Sequence, residues 1–170
     1  MKQDKTYIFK PRRISKRLLL VKKELEKDMT IDHIKRIIEI DRHLNGIDSK
    51  GVCYSDCLIL EKFYQRYLIN VKGRVNLDHN SLIKLPKILF NKVEGYFSCS
   101  YNKLISLRNS PSIVTGDFYC DNNNIISLEG CPIEVEMFFN IECNNGKVFS
   151  KKEISSKCLV GGKYAKLTKP

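Results

Sequence analysis

No stretch of the 170 residues comes near the ~20 consecutive apolar residues that a membrane-spanning helix requires; the longest candidate, Leu18 to Val21, is closed off by Arg17 and Lys22. A soluble chain without a membrane partner is expected. The first thirty residues lack the apolar stretch and small-residue cleavage site of a secretory signal, and Asp4, Glu24, Glu26 and Asp28 are foreign to an import peptide. Catalytic signatures are missing as well: there is no G-x-x-x-x-G-K-[ST], no G-x-S-x-G and no H-E-x-x-H, and Gly161-Gly162-Lys163 has neither the earlier glycine nor the strand-to-helix setting of a phosphate loop. The three histidines, His33, His43 and His79, are scattered, and the C-x3-C of Cys53 and Cys57 has no second pair to complete a zinc site. The expectation is therefore a protein with no catalytic residues, no metal, no cofactor and no small-molecule substrate. Seven cysteines would leave one thiol unpaired in a secreted protein, so reduced, cytoplasmic residence is expected.

What is present is a repeat. Val71, Val93, Val114 and Val135 begin four stretches that superpose, and the asparagine nine residues later superposes too, as Asn80, Asn102, Asn123 and Asn144. The steps are 22, 21 and 21 residues. This is the period of short solenoid units, none of which can bury its apolar edge without a neighbour. Within each unit, alternating apolar residues before the asparagine predict a short strand, as in Phe97 and Cys99 or Phe118 and Cys120. An asparagine at the following bend satisfies backbone groups there, and four in register predict a ladder from coil to coil. Leu82, Leu104 and Ile125, then Leu85, Leu107 and Leu128, form further apolar rows, while Pro86, Pro111 and Pro132 mark an irregular return. Cys99 and Cys120 share their position with Leu77 and Ile141, which predicts thiols in a stacked apolar interior.

Before the repeat, Ile14, Leu18, Val21, Leu25 and Met29 recur at helical spacing opposite Lys16, Arg17, Lys22, Lys23 and Lys27. Thr30 is placed to cap a second helix that stops at Asn45-Gly46, and a third is expected from Ser55 or Asp56 to Leu68. The chain thus divides into a basic arm (1–13), a helical block (14–70) that caps the first coil, four repeat units (71–149) and a basic tail (150–170). Its net charge of +11 sits at the two ends: residues 1–50 contribute +6, residues 51–149 nothing and residues 150–170 the remaining +5. Lys10, Arg12, Arg13, Lys16, Arg17, Lys22 and Lys23 follow one another without an intervening acid, a run that favours phosphates through counterion release. Few aromatics interleave these cations, so any RNA or DNA binding there is expected to be electrostatic.

If the apolar positions of the strand row face inward, Arg74, Asn76 and Asp78, Tyr96, Ser98 and Ser100, Asp117, Tyr119 and Asp121, and Phe138, Asn140 and Glu142 face out. Tyr and Phe dominate the cores of protein interfaces. The candidate protein-binding residues are accordingly Arg74, Tyr96, Asp117, Tyr119, Asp121 and Phe138.

The pattern Val75-x-Leu77-x-x-Asn80-x-Leu82, met again in Phe97-x-Cys99-x-x-Asn102-x-Leu104, resembles the L-x-L-x-x-N-x-L core of the leucine-rich repeat. The segments Ser127-Leu-Glu-Gly-Cys-Pro132 and Gly116-Asp-Phe-Tyr-Cys120 are similar to those of the short bacterial and bacteriophage variety. That resemblance implies a short solenoid with a parallel strand row, and with the helical N-terminal block that the apolar spacing predicts as its cap the expected fold is α+β. It also implies a phage-type interaction protein that docks on a protein or ribonucleoprotein partner in the host cytoplasm, to inhibit or assemble it.

Overall fold

The computed structural model describes residues 31–47, 50–64 and 68–164. The chain divides into two compact units, Met1–Ile37 and Ile38–Pro170. The basic run from Lys10 to Lys23 and the expected helix from Ile14 to Met29 lie outside the described residues, as does Thr30.

The fold is α+β, with two five-stranded parallel sheets and few helices. In chain order the elements are helix α1 (Ile31–Leu44), strand β1 (Val52–Cys53), helix α2 (Tyr54–Tyr64), and strands β2 (Leu68–Val71), β3 (Val75–Asn76), β4 (Leu89–Val93), β5 (Phe97–Ser98), β6 (Ile113–Val114), β7 (Phe118–Tyr119), β8 (Glu134–Val135) and β9 (Phe139–Asn140). Helix α3 (Lys151–Ser155) and strand β10 (Leu159–Val160) follow. The odd-numbered strands form one sheet in the order β1-β3-β5-β7-β9, and the even-numbered strands form the other, β10-β8-β6-β4-β2. Each turn of the chain therefore adds one strand to each sheet. Among the described residues no helix is long and apolar enough to cross a membrane.

The register follows the repeated residues. Val75 pairs with Phe97, Phe97 with Phe118 and Phe118 with Phe139, while Val71, Val93, Val114 and Val135 are matched one to the next across the second sheet. These side chains are buried, and the three phenylalanines stack with centroids 5.5 and 5.2 Å apart. Leu77, Cys99, Cys120 and Ile141 form the next buried row. The two thiols fit there because each donates to a carbonyl of the following coil, Cys99 Sγ to Tyr119 O at 3.4 Å and Cys120 Sγ to Asn140 O at 3.2 Å. Burial pushes both thiols well above their ordinary pKa, reinforced at Cys99 by Asp78 and Asp121 and at Cys120 by the Cys99 thiol and Asp121.

The asparagines line up in a ladder. Asn123 Nδ2 donates to Cys99 O in the preceding coil and to Cys120 O and Asp121 O in its own, while its Oδ1 accepts from Leu104 N. Asn102 and Asn144 repeat the arrangement and are buried. Asn80, at the start of the row, makes one side-chain bond, to Asp78 O. One residue before each amide the backbone is left-handed, at His79, Tyr101, Asn122 and Cys143, with φ between 53° and 57°.

The strand rows extend beyond residues 71–149 at both ends. Strands β1 and β2 lie within the span expected to be helical, and α2 ends at Tyr64 rather than at Leu68. Leu68 to Val71 alternate exposed and buried, a period-two pattern that sets them in the sheet rather than in a helix. At the other end, Leu159 pairs with Glu134, and Phe139 N donates to Lys163 O beside the Phe139–Tyr164 bridge. Ile40, Leu44, Cys57 and Leu60 join the same buried core as the strand residues, as do Phe149, Ile154 and Cys158.

Candidate functional site

The outer side of the odd-numbered sheet carries the residues with the richest surface chemistry. Strand alternation turns Phe97, Phe118 and Phe139 inward, so the residues flanking each of them emerge on the opposite side. Tyr96, Tyr119 and Phe138 meet there in sequence: Tyr96 lies edge-on to Tyr119 at 6.4 Å, and Tyr119 lies 6.0 Å from Phe138. Arg74 extends the row, its guanidinium carbon 5.8 Å from the centre of the Tyr96 ring. Arg74 is exposed and the three rings are half-buried.

Asp117 fixes the middle of the row. Its carboxylate accepts from Tyr119 Oη at 2.8 Å and from Phe138 N at 3.1 Å, so one side chain orients the ring of its own coil and the backbone of the next. Burial, then this hydrogen bond and the charges of Asp117 and Asp121, push the Tyr119 phenol up to about 12.

The acidic column behaves differently from the aromatic one. Asp78 Oδ1 accepts from Ser98 Oγ and from Ser100 N, and Asp121 Oδ1 accepts from Ser100 Oγ at 2.6 Å. Asp121 Oδ2 accepts from Asn122 Nδ2. Ser98, Ser100 and Asp121, read from alternation as outward-facing, are buried, because each lies beneath a hydrogen-bonding partner from the adjacent coil or its own turn. The row Arg74-Tyr96-Tyr119-Phe138, with Asp117, is thus brought together at the surface. Asp121 is buried apart from it, bonded to Ser100 and Asn122. The basic residues from Lys10 to Lys23 cannot be placed with it, since they lie outside the described residues.

Two features escaped the sequence reading. One is a buried polar knot in which Asp56 Oδ2 meets His43 Nδ1 at 2.8 Å, Cys53 N at 3.0 Å and Cys53 Sγ at 3.3 Å, tying α1 to the start of α2. The three groups are far apart in the sequence or hidden in the C-x3-C, so spacing gave no sign of it. The other is a line of exposed isoleucines, Ile83, Ile105 and Ile126, which hold identical register in three units, each directly after a buried residue. Among the described residues no group of three or more His, Cys, Asp or Glu side chains is disposed to hold a metal ion.

No protein-family model, no curated protein and no solved structure matches the chain.

Proposed function

We propose that this chain is a non-enzymatic interaction protein: a short leucine-rich-repeat solenoid, capped by its N-terminal helices, that docks its strand face on a protein or ribonucleoprotein partner. The observation that carries this reading is the continuous row Arg74-Tyr96-Tyr119-Phe138. Aromatic and arginine side chains are the residues that most often anchor protein interfaces, and rings already packed against one another lose little freedom on binding. Stacked coils give that row a rigid backing, and the buried helical residues Ile40, Leu44, Cys57 and Leu60 support the capping role. By its resemblance to the short bacteriophage repeats, the partner is a host or virion assembly in the host cytoplasm, inhibited or assembled by the contact. Affinity purification of the tagged protein from its native cell, with and without nuclease, tests this. A protein partner retained after nuclease and lost with Tyr96→Ala plus Tyr119→Ala supports the reading; a partner insensitive to both rings refutes it.

The uneven placement of charge favours a second reading, electrostatic binding of RNA or DNA through the basic ends. That version requires steep salt dependence and loss of heparin retention when Arg12, Arg13, Lys16 and Arg17 are reversed in charge.

A further inference from the structure

The second surface of interest lies just past the asparagine bend. Ile83, Ile105 and Ile126 are 61%, 45% and 68% exposed, whereas the residue before each of them, Leu82, Leu104 and Ile125, is buried in the core. Backbone bonds hold the three segments side by side: Lys103 N to Leu82 O, Asn124 N to Leu104 O and Ile126 N to Ile105 O. The isoleucines therefore form an apolar line across three coils rather than scattered single exposures. Lys103 lies two residues before Ile105 and Lys84 directly after Ile83; both are exposed, and among the described residues neither forms an ion pair. The remaining flanking positions, Ser81, Asn124, Ser106 and Ser127, bring no acid.

We infer that this line is a docking site for an amphipathic α-helix with acidic flanks. Spacing decides between a helix and an extended peptide. Adjacent parallel chains lie about 4.8 Å apart, so three isoleucines cover about 10 Å. On a helix, side chains at i, i+3 or i+4, and i+7 cover nearly the same length, since one turn rises about 5.4 Å. An extended peptide presents one face every ~6.7 Å and falls out of step by the third residue. Charge decides the flanks, because Lys84 and Lys103 attract glutamate or aspartate beside the apolar stripe and repel lysine.

The site is tested by fluorescence anisotropy with two labelled peptides. One is a synthetic helix with leucine at i, i+4 and i+7 and glutamates beside them. The other is the peptide of residues 14–29, whose apolar spacing is alike but whose flanks are basic. The acidic peptide is expected to bind the full chain in the micromolar range, and Ile105→Asp to weaken it at least ~tenfold with the thermal unfolding of the protein unchanged. Lys84→Glu with Lys103→Glu, which leaves the apolar line intact, should reverse the preference toward the basic peptide. The inference is overturned if the acidic peptide does not bind, if Ile105→Asp binds it as well as the native chain, or if the basic peptide is preferred from the start. It is equally overturned if the same substitution abolishes a dimer in sedimentation or the binding of phosphatidylglycerol vesicles while acidic-peptide binding persists.

Discussion

At the scale of the residue, the close approach of successive coils leaves some positions no room for a side chain. A Cβ on Gly116 would stand 2.7 Å from the backbone carbonyl of Gly95, and one on Gly95 would stand 2.8 Å from that of Gly73. Backbone cannot swing aside as a side-chain tip can. Gly116→Ala should therefore destabilise the fold by about 2 kcal/mol, the usual cost of overpacking. Gly146 is the control, since nothing lies within 4 Å of its added Cβ and only its φ of 74° resists substitution. Gly146→Ala should cost about 1 kcal/mol, and urea midpoints at constant slope distinguish the two. Tyr119 provides a second measure. Its phenol is raised from 10.0 to about 12, so its favourable contacts are fully present below pH 10 and are lost as pH climbs toward 12. Ultraviolet titration should show the Tyr119 phenol ionising late, and Asp117→Asn should bring it back toward the ordinary value.

At the scale of the element, what joins one coil to the next is as polar as it is apolar. Asn123 closes its own bend and clasps the preceding coil, so Asn123→Ala strands Leu104 N and removes one bond from each of the carbonyls of Cys99, Cys120 and Asp121, which keep a second donor in Asn102 Nδ2, Asn144 Nδ2 and Tyr101 N. A loss of about 3 kcal/mol is expected, since a stranded buried donor costs roughly 1 to 3 and each further bond given up roughly 0.5 to 1.5. Asn80→Ala, which gives up one side-chain bond at the end of the row, should cost about 1 kcal/mol. Equal losses at the two positions would deny that the amides work as a column. The column itself was legible in the sequence, as were the buried thiols, because both depend only on identical residues recurring at a fixed step. The inward turn of Ser98, Ser100 and Asp121 was not legible. Alternation assigns a side of the strand, whereas the hydrogen bonds that bury these residues come largely from another coil.

At the scale of the whole molecule, the strand rows outrun the recognisable repeat because the end coils keep the geometry without keeping the residues. Val52 pairs with Val75 although α2 follows it at once, and Leu159 pairs with Glu134 after the chain has detoured through α3. A helix inserted into a coil destroys the 21-residue step on which the sequence reading relied. The hydrogen-bonding edge still finds its neighbour. The described residues carry an aromatic row on one sheet and an isoleucine line beyond the asparagine bend, and the proposed recognition of protein rests on the former.

The most direct measurement of that claim is the affinity of the isolated partner across a salt series, for the native chain, for Tyr96→Ala with Tyr119→Ala, and for the chain with Arg12, Arg13, Lys16 and Arg17 reversed to glutamate. Protein recognition through the strand face predicts shallow salt dependence, loss of at least ~100-fold with the tyrosine pair, and little change with the reversed charges. Binding that falls steeply with salt, survives without the two tyrosines and vanishes with the four charges would contradict it.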